Sequence, residues 1–130
     1  MATTVIDQLA STIPSLTEQW AQYRTSFGAE DAPSAHAGEL AQHVAQYLAE
    51  QRQQELAGFC TAYRKAYDAA DQDTSVVLFE GFMESLVWAA DSSGLDHDKV
   101  YKQLGPDMRE FYKEAWEVIA GRSWSYQAGA

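Results

Sequence analysis

Val76-Val77-Leu78-Phe79-Glu80-Gly81-Phe82-Met83-Glu84-Ser85-Leu86-Val87-Trp88-Ala89-Ala90-Asp91 is the most apolar run in the chain, and its periodicity decides the fold class. At about 100° per residue, Leu78, Phe79, Phe82, Met83, Leu86, Ala89 and Ala90 fall on one broad face, as in a helix with one side against a core. The spacing predicts a helix over about 75–92 that stops near Gly94. Gly81 in its middle costs about 1 kcal/mol relative to alanine, which points to close approach by another helix. Nearly opposite the core face, Asp73, Glu80, Glu84 and Asp91 align within roughly 40° of one another, flanked by Val77 and Trp88. No lysine or arginine lies between Lys65 and Lys99, so nothing nearby in the sequence neutralises this line. Three arrangements fit it: a solvated face with Trp88 dipping into the core, carboxylates paired with Arg109 or Lys113, or an acidic patch with an aromatic anchor.

Helical spacing continues on both sides, and no stretch alternates with period two. Upstream, Val5, Ile6, Leu9 and Ile13 predict a first helix capped by Thr3 or Thr4. Pro14 opens a second helix with a Leu16, Trp20, Tyr23 and Phe27 stripe, stopped at Gly28. The stretch from Gly28 to His36 reads as a loop. A third helix carries Leu40, Val44 and Leu48; a fourth carries Leu56, Phe59, Cys60, Tyr63 and Tyr67. The Gln-rich segment between them reads equally as a turn or as continuous helix. Asp68 to Ser75 is a polar break in which Asp73, Thr74 or Ser75 can cap the next helix. Downstream, a short helix from Asp96 through Leu104 stops at Gly105-Pro106, and a last one places Met108, Phe111, Tyr112, Ala115, Val118 and Ile119 on one face. The expectation is an all-α, single-domain bundle of six or seven helices over residues 1–122. Residues 123–130 read as a tail that Trp124 and Tyr126 can pin.

The 130-residue chain is 46% hydrophobic and 22% charged, enough for a core without a disulfide or metal. Its single cysteine, Cys60, suits a reducing compartment. No apolar run approaches the roughly 20 residues of a membrane span, and no basic residue precedes Arg24 as in a secretory signal, so a cytoplasmic location is expected. Nineteen acidic against nine basic residues give a net charge of -10 and a pI near 4.5. That field repels nucleic acid and would attract a basic protein surface, although by itself it reads first as a means of keeping a small protein soluble.

Catalytic and metal-binding patterns are weak. The paired histidines of zinc proteases are missing, and Glu39 is followed three later by Gln42 rather than by the histidine of di-iron bundles. Asp96-His97-Asp98 projects in divergent directions, and two acids in a first turn are accounted for by the helix dipole. Asp71-x-Asp73-x-Ser75 begins like a calcium loop but has Val76 and Phe82 where glycine and glutamate are needed. Cys60 shares a stripe with Phe59 and Tyr63 and reads as core. No cofactor, metal or catalytic residue is assigned.

Leu78-Phe79-Glu80-Gly81-Phe82-Met83-Glu84-Ser85-Leu86 resembles the "LEGFLE-x-L" pattern of a family of small bacterial helical proteins of unassigned function. Tyr101-Lys102-Gln103-Leu104-Gly105-Pro106 followed by Trp116 is similar to that family's "LGP … W" ending, and Gly38-Glu39-Leu40-Ala41 to its "GEL" helix start. The pattern's second aromatic after Trp116 is replaced here near Ile119 and Ala120. Members look like immunity proteins from toxin–immunity pairs. The resemblance therefore implies an acidic cytoplasmic immunity protein that occludes the active site or substrate channel of a cognate toxin. The expected partner-binding residues are Glu80, Glu84, Trp88 and Asp91, then Asp71 and Asp73, with Asp96 and Asp98 as an extension. The runner-up is a regulatory or adaptor bundle for another basic protein; an enzyme using His97 with neighbouring acids comes third.

Overall fold

A computed structural model describes residues 2–26 and 32–124, and it is all-α, with six helices and no strand among these residues. α1 (Ala2–Ala10) starts earlier than its threonines suggested: Thr3 and Thr4 lie inside it, and Ile6, Leu9 and Ala10 bury its inner face. Pro14, whose fixed φ suits a first helical position, opens a 3₁₀ turn (Pro14–Leu16) that runs into α2 (Thr17–Ser26). α3 (Pro33–Ala49) begins within the stretch expected to be loop, again with proline near its start. It buries His36, Ala37, Leu40, Ala41, Val44 and Leu48. Phe27 and Gly28 fall outside the described residues.

The Gln-rich segment is a break. Gln51 adopts a left-handed φ of 59°, the Arg52 N–H returns to the Tyr47 carbonyl, and a 3₁₀ turn (Gln53–Leu56) leads into α4 (Ala57–Ala69). The next helix is capped by Asp71, whose carboxylate accepts from the Thr74 N–H at 2.8 Å, rather than by Asp73, Thr74 or Ser75. The last helix, α6 (His97–Ala120), contains the expected stop and restart: Gly105, at φ 75° and ψ 179°, breaks it just before Pro106.

α5 spans Gln72 to Ser92 in three joined segments: α-helical Gln72–Val76, π-helical Val77–Met83 and α-helical Glu84–Ser92. The Glu84 N–H donates to the Phe79 carbonyl five residues back. Two side chains support the widened turns: the Tyr63 hydroxyl donates to the Leu78 carbonyl at 2.6 Å, and the Ser85 hydroxyl to the Gly81 carbonyl at 2.7 Å. The buried row runs in steps of four: Thr74, Leu78, Phe82, Leu86, Ala90. In an unbroken α-helix of 3.6 residues per turn such a row drifts by about 40° per step. The wider π turns raise the average toward four and hold the row on one face.

α3 and α5 form the most extensive helix pair, with α6 packed on α5 and α4, and α1 on α3 and α4. α2 is tied on by polar contacts. Trp20 Nε1 and Arg24 Nε both donate to Asp7, at 2.8 and 3.0 Å, while His36 meets the Tyr23 hydroxyl at 2.8 Å and Arg24 at 3.0 Å. Arginine only donates, so His36 Nε2 is the acceptor, and the ring's proton sits on Nδ1. At the other end Trp124 packs on the body: its backbone N–H donates to Glu117, and its ring meets Trp116 edge-on and stacks on Tyr101. Tyr126 lies outside the described residues. No helix among the described residues is long and apolar enough to cross a membrane.

Gly81 sits where the sequence places a tight contact. A Cβ there would come within 3.3 Å of the Ala37 Cβ and 3.4 Å of the Ser34 Cα, and the latter is backbone that cannot swing aside. Gly81→Leu is expected to destabilise by about 1–3 kcal/mol through overpacking. Chemical denaturation checks this, and an unchanged or higher midpoint refutes the close-contact reading.

Candidate functional site

The step of four that buries one row of α5 exposes another. Gln72, Val76, Glu80, Trp88 and Ser92 are exposed and Glu84 is half-buried, all four residues apart down the outer side. Val76 at 43% and Trp88 at 57% are two of the three large hydrophobic side chains left exposed among the described residues. Trp88 therefore does not dip into the core. A tryptophan held open to water beside carboxylates has the composition of an interface anchor, since indole gives up the most apolar area for the least side-chain entropy. The unbroken-helix wheel needs correction here: Val77, expected to flank the acids, is buried, and the surface row is Val76–Glu80–Glu84–Trp88. The signal that identifies Val76 is that same spacing of four.

Among the described residues neither Glu80 nor Glu84 has an ion-pair partner. Arg109, one suggested neutraliser, instead lies with its guanidinium 5.3 Å from the centre of the Tyr101 ring. Burial first, and the charge of Glu80 second, push the Glu84 carboxyl above its ordinary value.

Asp91 stands just beyond the row. The chain leaves α5 through a left-handed Gly94 at φ 71°, with the Leu95 N–H returning to the Ala90 carbonyl and the Gly94 N–H to that of Asp91. This turn brings His97 back, so that its Nε2 lies 3.3 Å from Asp91 and its Nδ1 2.6 Å from the Tyr112 hydroxyl. Both ring nitrogens are thus engaged, and the imidazole clamps the start of α6 to the end of α5. Asp96 caps α6 by accepting from the Asp98 N–H at 2.9 Å. Asp96 and Asp98 line a recess of about 320 Å³ with Trp116, Trp124 and the cationic Arg122, next to Asp91 through His97. Asp71 and Asp73 are not brought into this group. Asp71 is a helix cap whose pKa is lowered by the Thr74 N–H, and about 20 residues of helix, roughly 30 Å, separate it from Asp91.

A second feature, absent from the sequence reading, adjoins the row. A groove of about 840 Å³ opens between α3 and α5, with Trp88 at its edge and Ser85, Ala89 and Ser92 along one side. Among the described residues no group of three or more His, Cys, Asp or Glu side chains is placed to hold a metal ion. The Cys60 thiol is pushed up to about 12 by burial and the nearby Asp107, so it stays protonated.

The state of Glu84 gives a test. A raised carboxyl pKa means that the folded protein holds the proton more tightly than the unfolded chain. The resulting penalty is absent below the unfolded value and develops as pH rises through the folded one. Glu84→Gln should therefore raise Tm at about pH 7 and leave it unchanged at about pH 3. A lower Tm at neutral pH would reveal a compensating contact to the carboxylate.

No curated protein and no solved structure matches the chain. One family model does, described as a domain of unknown function (DUF7674), and it matches residues 6–117. That span runs from the first buried residue of α1 to Glu117 in α6, covering the whole packed body and all of α5. The chain belongs to this family.

Proposed function

We propose that this protein is an immunity protein, which binds a cognate bacterial toxin domain and blocks its active site or substrate channel through the outer face of α5. The observation that carries this reading is the row Val76–Glu80–Glu84–Trp88, in which two exposed apolar side chains bracket two carboxylates without counter-ions. Toxin domains that act on nucleic acids or phosphates surround their sites with cationic residues, and a row of carboxylates can stand in for the substrate's charge. The net charge of -10 adds a long-range pull on such a surface. Trp88 supplies the apolar area that must leave water for the complex to last. Asp91, followed across the turn by Asp96 and Asp98, extends the acidic edge past the end of the helix. The resemblance of the Leu78–Leu86 stretch to immunity-type proteins supports the same conclusion. This reading calls for no cofactor and no catalytic group.

The test uses the product of the gene adjacent to this one as binding partner. Trp88→Ala is expected to cost more than about 2 kcal/mol of affinity, mainly through faster dissociation. Glu80→Lys with Glu84→Lys should abolish protection while leaving the fold intact, because Glu80 is exposed, Glu84 is only half-buried, and among the described residues neither has an ion pair to lose. Wild-type association should slow as salt rises. Two results overturn the proposal: a double reversal that binds as tightly as wild type at low salt, or one that unfolds the protein. A neighbouring transcription or secretion component captured through the same face would favour an adaptor role.

A further inference from the structure

We infer that the groove between α3 and α5 seats one amphipathic, Lys/Arg-bearing helix of the partner, so that recognition proceeds by helix-in-groove docking with Trp88 as its lip. This rests on the reading of α5 as the binding face and names the element that the face receives.

The groove follows from how the two helices meet. They pack along both the Val77–Met83 and the Glu84–Ser92 segments of α5, closely enough that a Cβ on Gly81 would lie 3.3 Å from that of Ala37 and a Cβ on Gly38 would lie 3.8 Å from the Ser85 hydroxyl. Beside that contact is an opening of about 840 Å³ whose lining includes the small residues Gly38, Ala45, Ser85 and Ala89 together with the longer Gln42 and Gln46. From Gly38 to Ala49 the α3 wall is about 17 Å long, the length of about three turns of a guest helix. The small residues leave room for a third helix beside the two packed ones, with the glutamine amides able to hydrogen-bond to it. There is no strand among the described residues, so addition of a strand to a sheet edge has nothing to build on.

Charge selects the occupant. The ionisable side chains lining the groove are Glu39 and His43, 3.3 Å apart, and no lysine or arginine lines it. Glu84 precedes the lining residue Ser85 and lies one turn before Trp88, adding a carboxylate beside the lip. A second copy of this chain would bring its own charge of -10 against these groups, whereas a cationic helix is drawn in. Its apolar side would cover Trp88 and the alanines of the lining, with its basic residues directed at Glu39 and Glu84.

The probe is a synthetic amidated Leu/Lys peptide of about 18 residues with helical spacing, long enough to become helical on binding. Its controls are a scrambled peptide of the same composition and a Leu/Glu analogue. Calorimetry at low salt should show binding of the Leu/Lys helix and at least about tenfold weaker binding of both controls. Gln42→Trp and Ser92→Trp, each at an exposed position lining the groove, should lower affinity at least about tenfold with unchanged circular dichroism. Equal binding of the scrambled peptide, no binding of the Leu/Lys helix, or indifference of both filled variants overturns the inference. So does a wild-type dimer in sedimentation that Ser92→Trp dissociates, since a second copy would then be the occupant. With the natural partner, loss of binding on reversing Glu80 and Glu84 but not on filling the groove overturns the groove and leaves the acidic-face reading standing. Loss on filling but not on reversal does the opposite.

Discussion

Gly81 brings the backbone of α5 so close to Ser34 and Ala37 of α3 that an added Cβ would press on both, and it does so in the middle of a π-helical stretch. The two facts are linked. A widened turn costs hydrogen-bond geometry, and it persists only where the surroundings fix it. Here they do: the Tyr63 hydroxyl holds the Leu78 carbonyl from the core, and Ser85 holds that of Gly81. Because the average turn is then near four residues, the helix carries a straight buried row and a straight exposed row over its whole length. The alignment of Glu80, Glu84 and Trp88 follows from these turns, and the close meeting of α3 and α5 beside the groove follows from Gly81.

The distribution of cations sharpens the exposed row. Each of the five arginines is engaged away from it. Arg24 pairs with Asp7, Arg64 with Asp68, and Arg52 with Glu50 and Glu55 while lying over Tyr47. Arg109 and Arg122 lie over Tyr101 and Trp116. The Arg52 cluster, joined by Ser15, holds the Glu55 carboxyl down at about 2 and ties the first interhelical turn to the end of α3. Arg24 and Arg52 join elements, Arg64 pairs within its own helix, and among the described residues none of the five pairs with Glu80 or Glu84.

Much of the architecture was legible in the chain because it depends on local periodicity and backbone stereochemistry. The all-α class, the proline-led start of α2, the Gly105-Pro106 break and the tight site at Gly81 follow from residue type and spacing alone. The core face of α5 was legible too, since burying Leu78, Phe82, Met83, Leu86 and Ala90 is favoured under any helical geometry. Helix starts were less so. Thr3, Thr4, Asp73 and Ser75 are all competent caps, and tertiary packing with neighbouring turns chose other boundaries.

Tertiary structure alone decided which side chains share a surface. A straight α-helical wheel groups Asp73 and Asp91 with the glutamates and sets Val77 beside them; the π turns rotate one end against the other and replace that line with Val76–Glu80–Glu84–Trp88. The pairing of Asp91 with His97 requires the left-handed turn at Gly94, and the engagement of His97 with Tyr112 requires α6 to fold back on α5. Whether Trp88 faced water or the core could not be read from its neighbours, because it depends on how α3 packs against α5. The sequence determined the helices, their apolar faces and the local excess of carboxylates, all properties of residues within a few turns of one another. The exposed anchor and the groove beside it are set by contacts between residues some 45 positions apart, Ala37 with Gly81 and Gly38 with Ser85, which no local pattern encodes.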